Sequence, residues 1–221
     1  MQNSKTKTIV TLAMLCAIAY TVMNFKIPIV LFLKYEPKDV IIILGGFLYG
    51  PLSAFIISAV VSLIEMVTVS DTGPLGAFMN VLSSCTFACT ASFIYHKRKT
   101  LGGAVTGLIV GVVLMTGIMI PANYLLTPIY MANEFVTAEQ LRQQVVGMFL
   151  TVFVPFNLFK GAVNAIIVMF LFKPLVTALH RAGLIQPAIV GTRSAKIKWV
   201  FIITTIIIAI SVFFILQKLN P

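Results

Sequence analysis

Residues 150–177 read LTVFVPFNLFKGAVNAIIVMFLFKPLVT, an apolar run with Lys160 near its middle and Asn157 and Asn164 close beside it. A helix crossing the hydrocarbon core needs about 20 predominantly apolar residues, and this run is long enough. A charged group within such a segment is costly and marks a ligand, an ion or a partner group. Asn157, Lys160 and Asn164 stand at i, i+3 and i+7, which places them on one stripe of the helix. Two amides and an ammonium offer donors and acceptors to a ligand edge rich in carbonyl and imide groups. The plainer reading is hydrogen bonding between helices, with Lys160 held by Glu65 of the third span. Ligand contact is the preferred reading for Lys160, a structural role for Glu65.

Outward from this stripe, further apolar segments lie around residues 7–25, 40–50, 51–69, 75–95, 101–124 and 199–216. The second is short, tilted or partly buried. Of 221 residues, 59% are hydrophobic and 10% charged, and the mean hydropathy is +1.04. Such a chain has its natural solvent in a bilayer. The expected fold is an all-α integral membrane protein. It comprises a six-helix membrane domain over residues 1–182, a basic cytoplasmic linker over 183–198 and an additional C-terminal transmembrane helix over 199–221.

The net charge of +10 is spread through loops rather than gathered on one face, so nucleic acid is excluded as a partner. The charge instead orients the chain. Lys5, Lys7, Lys97, Arg98, Lys99, Lys173, Arg181, Arg193, Lys196 and Lys198 fall on one side if the spans alternate, and no acid joins them. The positive-inside rule makes that side, with the amino terminus, cytoplasmic. Lys26, Lys34, Lys38, Arg142 and Lys218 fall opposite, with Glu36, Asp39, Asp71, Glu134 and Glu139. Cys16, Cys85 and Cys89 lie in apolar spans and read as packing residues. No phosphate-binding loop, HExxH run or Ser/His pair is present, so neither a nucleotide motor nor an intramembrane protease is expected.

The first outer loop, Phe32 to Asp39, mixes aromatic, aliphatic and charged residues at the membrane boundary and could cover a flat ring, although boundary aromatics also serve as anchors. Asn123 falls near the outer end of the fifth span, as a ligand contact or a helix-end cap. Gly103, Gly107 and Gly111 remove bulk from one face of that span. Thr137 and Gln140 form a capping-box pattern that starts a helix leading into the sixth span. The outer stretch 133–144 therefore reads as a lid or as an ordinary structured connection. Ala13 and Ala17, one turn apart, make a flat surface for a helix of this chain or of a partner.

Four stretches taken together resemble the riboflavin-specific S component of energy-coupling factor (ECF) transporters. They are Leu33-Lys34-Tyr35-Glu36-Pro37-Lys38-Asp39, Thr72 to Asn80, Asn123-Tyr124 and Asn157-Leu158-Phe159-Lys160-Gly161. The likeness covers about residues 8–182. It implies a substrate-binding subunit in the bacterial cell membrane that joins a transmembrane coupling subunit and two ATP-binding subunits. Carried over, Asn123, Asn157 and Lys160 bind the flavin, with Leu33, Lys34 and Tyr35 in the covering loop. Ala13 and Ala17 match the small-residue motif that meets the coupling subunit. The segment after about residue 198 departs from the six-helix pattern. Riboflavin is then a transported ligand and not a cofactor, its phosphate FMN standing as the alternative, and no enzymatic activity is expected. The competing readings are a self-sufficient secondary carrier or channel and a membrane enzyme. The absence of a clear inverted repeat counts against the first, the absence of catalytic pairs against the second.

Overall fold

A computed structural model describes residues 4–31, 33–69, 73–132 and 137–183. In chain order they form α1 (Ser4–Met23), a hairpin of β1 (Ile27–Val30) and β2 (Leu33–Tyr35), α2 (Lys38–Tyr49), α3 (Pro51–Thr68), α4 (Gly73–Arg98) and α5 (Leu101–Met131). Then come α6 (Ala138–Gly147), one π-helical turn (Phe149–Phe153) and α7 (Val154–Arg181). The expected helix at 199–221 and the linker beyond Gly183 lie outside the described residues, as do Phe32, Asp71 and Glu134.

Among the described residues, five stretches are long and apolar enough to cross a membrane, in α1, α3, α4, α5 and the π turn with α7. The short second segment becomes α2. At 1.5 Å per residue its 12 residues reach only about 18 Å, well short of a hydrocarbon core of about 30 Å. It buries itself instead, placing Val40, Ile42, Ile43, Leu44 and Phe47 in the core. Gly50, at φ 102°, turns the chain where a side chain would be strained, and Pro51 opens α3 where its missing N–H costs nothing.

The glycine stripe of α5 works unevenly. A Cβ on Gly107 would lie 2.6 Å from the Ala91 carbonyl oxygen, and one on Gly111 would lie 2.9 Å from that of Phe87. Both glycines therefore let α4 and α5 touch backbone to side. Gly103 faces the Arg98 side chain instead. The fifth span runs past residue 124 to Met131, through Pro121 and Pro128. Neighbouring helices support such interruptions in a membrane.

The first outer loop opens as a hairpin. β1 and β2 pair antiparallel with Ile27 opposite Tyr35, and Leu31 takes the positive φ of the turn at 48°. Ile29, Val30 and Tyr35 bury against Val152 and Phe156, which seats the hairpin on the π turn and the start of α7. Thr137 and Gln140 form the expected capping box at α6, with Thr137 N–H donating to Gln140 Oε1 at 3.0 Å. In the π turn, Val152 and Phe153 N–H both donate to the Met148 carbonyl at 2.8 and 3.0 Å. At the opposite end, Lys7 Nζ donates to the Gly183 carbonyl at 3.0 Å, joining the start of α1 to the end of α7.

Candidate ligand-binding site

The polar stripe of α7 faces inward. Asn157, Lys160 and Asn164 are all buried. Lys160 Nζ lies 2.8 Å from Asp39 Oδ2 and donates to Ser83 Oγ at 3.4 Å. Glu65, the partner in the plainer reading of Lys160, is not there. Asp39 takes its place because the first turn of α2 projects a carboxylate into the bundle beside α7, whereas Glu65 is drawn toward the hairpin. The Ser84 hydroxyl donates to Asp39 Oδ1, and Asn164 Nδ2 donates to Asp39 Oδ2 at 3.5 Å. Tyr35 of β2 completes the chain, its hydroxyl donating to Asn164 Oδ1 at 2.8 Å. A continuous line of polar contacts thus runs from the hairpin through Asn164 and Asp39 to Lys160. Burial raises the Tyr35 pKa, and the nearby Asp39 charge raises it further, so the hydroxyl stays a donor.

A second buried network fastens the hairpin at both legs. Lys26 lies 2.9 Å from Glu65 Oε1 and 3.4 Å from Glu36 Oε1. Lys38, with no exposed side-chain surface, pairs with Glu36 at 2.6 Å and with Glu65. Asn80 of α4 also donates to Glu65, at 3.1 Å. Burial lowers the Lys26 pKa, but the Glu65 and Glu36 carboxylates outweigh it and raise the pKa above its usual value. Each charge in this network has an opposite partner, as a low-dielectric site requires.

The remaining sequence candidates take distinct places. Asn157 Nδ2 donates to the Phe153 carbonyl at 2.8 Å, closing onto the π turn. Such turns recur at functional sites. Asn123 is not a helix-end cap, because α5 continues beyond it. It is buried within the helix, donating to the Met119 carbonyl at 2.7 Å and accepting from Thr127 at 2.9 Å. Leu33 is half-buried under the hairpin and Lys34 is exposed on it. Ala13 and Ala17 lie on an exposed face of α1.

The family model "ECF transporter, substrate-specific component" matches residues 7–172. This chain is a substrate-specific component of an ECF transporter. The S component is 30% identical over 182 residues to the riboflavin transporter RibU of Staphylococcus aureus strain TCH60, covering 79% of this chain and 93% of that one. It is 28% identical over 180 residues to the riboflavin transporter FmnP of Bacillus subtilis strain 168, covering 77% and 93%. A solved S component of a bacterial ECF transporter superposes with a TM-score of 0.65 at 30% identity, over 79% of this chain and 98% of that one. The S component is a multi-pass membrane protein, and its work is transport rather than catalysis.

Three residues of the site escaped the sequence reading: Asp39, Ser83 and Ser84. Asp39 carried a usable signal, since an acid opening an apolar segment has to find a cation. The serines carried none, being small residues of an ordinary apolar helix.

Proposed function

We propose that this S component binds riboflavin with high affinity at the outer side of the cell membrane and delivers it inward once coupled to a transmembrane subunit and two ATP-binding subunits. The reading rests on one observation above all, the buried stripe of Asn157, Lys160 and Asn164 tied to the hairpin through Tyr35. It draws further support from the two riboflavin transporters that the chain resembles.

Riboflavin suits such a site by its chemistry. Its planar ring buries apolar surface, its imide edge matches asparagine amides, and its ring carbonyls accept from a lysine. Asn123, Asn157 and Lys160 are assigned to the flavin, and Leu33, Lys34 and Tyr35 to the hairpin that covers it. Asn164 holds Tyr35 and Asp39 in place beside it. Ring burial supplies most of the affinity, the polar edge the discrimination. The amino terminus is assigned to the cytoplasm, because the start of α1 and the ends of α4 and α7 bring Lys5, Lys7, Lys97, Arg98, Lys173 and Arg181 to one end of the bundle.

The test is the visible absorption spectrum of the purified chain, followed by titration of ligand-free protein with riboflavin by fluorescence quenching. Co-purified flavin and saturable one-to-one quenching are expected. A colourless protein that leaves flavin fluorescence unchanged overturns the assignment.

A further inference from the structure

We infer that Asp39 is the specificity-determining residue of the site, selecting the neutral flavin over its phosphate by cancelling the charge of Lys160. The inference rests on the flavin reading above and adds to it the sign of the ligand that the pocket admits.

Three observations lead there. First, the buried and half-buried charges beneath the hairpin balance: Lys26, Lys38 and Lys160 against Glu36, Asp39 and Glu65. Two of these lysines are taken by the two glutamates, which leaves Asp39 alone to neutralise Lys160. Second, Asp39 is 1% exposed, so water does little to screen the pair, and removal of either charge would be felt at full strength by a ligand nearby. Third, Asp39 is held from several directions, by Ser84 on α4 and by Lys160 and Asn164 on α7. A group so constrained acts as a fixed counter-charge.

The donor arithmetic points the same way. An ammonium has three N–H donors. Asp39 and Ser83 accept two of them among the described residues, and one is left for a neutral acceptor such as a ring carbonyl. The Lys160–Asp39 pair thus offers a ligand one directed hydrogen bond and no net charge. A phosphate ester carries about −1.5 to −2 at pH 7, and it would enter a buried interior with no surplus cation to receive it, the exposed Lys34 of the hairpin standing outside this balance. Asp39 thus both aims Lys160 and sets what it can accept.

The experiment compares riboflavin with FMN by fluorescence quenching in detergent at fixed ionic strength, reading the ratio of the two affinities. The ratio is insensitive to a fraction of misfolded protein, which lowers both signals alike. The wild type is expected to prefer riboflavin. Asp39→Asn leaves Lys160 uncompensated and should move the ratio toward FMN by about tenfold or more, the scale of one unit charge acting on a phosphate across a poorly screened pocket. Asp39→Glu, which keeps the charge, should retain the wild-type preference. Lys160→Met reverses the imbalance and should move the ratio away from FMN, and it supplies the test if Asp39→Asn does not fold. An unchanged ratio in the charge-altering variants, or an Asp39→Glu ratio equal to that of Asp39→Asn, overturns the inference while leaving the flavin assignment standing. A wild type that binds neither flavin overturns both.

Discussion

At the scale of single residues, the site is governed by pairing rather than by any one side chain. Removing one partner of a buried ion pair typically costs about 3–5 kcal/mol, because the other charge is left stranded. Lys160→Met alone is therefore expected to lower stability by about that amount, and adding Asp39→Asn should restore much of it. Thermal unfolding of the single and double variants in detergent checks this, and equal losses in both would mean that the two charges are not coupled. Asn157 behaves differently. Among the described residues its side chain donates to the Phe153 carbonyl of the π turn, so Asn157→Ala strands no charge. It should weaken riboflavin binding by about 1–3 kcal/mol, the usual loss for a buried polar partner, with little change in melting temperature. Unaltered affinity would remove Asn157 from the ligand contacts.

At the scale of elements, the hairpin is the part whose behaviour depends most on its attachment. Two strands alone are marginally stable. This pair rests on Val152 and Phe156 of the π turn and α7 and is fastened at its legs by Lys26, Glu36 and Lys38 to Glu65. Glu65→Ala deprives both lysines of a carboxylate, and the hairpin amides at 27–35 should then exchange with solvent about tenfold faster or more. Exchange mass spectrometry reads this directly, and protection unchanged in the hairpin would show that the apolar seat suffices. The same element shows where sequence reading stopped. The spans and the polar stripe were legible because both are periodic, and the Thr137–Gln140 box was legible because it is local. The hairpin was not, since Ile27 to Tyr35 carries a proline and no glycine or asparagine to announce a turn. Nor was the Asp39–Lys160 pair. Its partners are far apart in the chain, and only the packing of the short α2 against α7 decides which acid Lys160 meets. The extent of α5 was misjudged because Pro121 and Pro128 read as an end, whereas helix neighbours in a membrane let the chain continue through them.

At the scale of the whole molecule, the proposed binding site is buried whereas the proposed docking face is exposed. Among the described residues the polar stripe of α7 and the hairpin that meets it both lie upstream of Gly183, and the apolar segment 199–216 offers almost no polar groups, so a chain ending at about Lys198 should retain riboflavin binding. A folded truncation that loses the flavin would move the site. Ala13 and Ala17 lie exposed on α1, flanked by the exposed Ile9, Val10, Met14 and Ile18. No helix of the described bundle covers this face. Small residues one turn apart let a neighbouring helix approach closely, and close packing is what drives helix association in lipid. Ala13→Trp or Ala17→Trp would hold a partner helix away by several ångströms without touching the Asp39–Lys160 network. Uptake by the assembled transporter should be abolished, while riboflavin binding by the isolated subunit stays near the wild-type value. Loss of binding in proportion to uptake would mean instead that this face supports the fold itself, and the docking surface would have to be sought elsewhere.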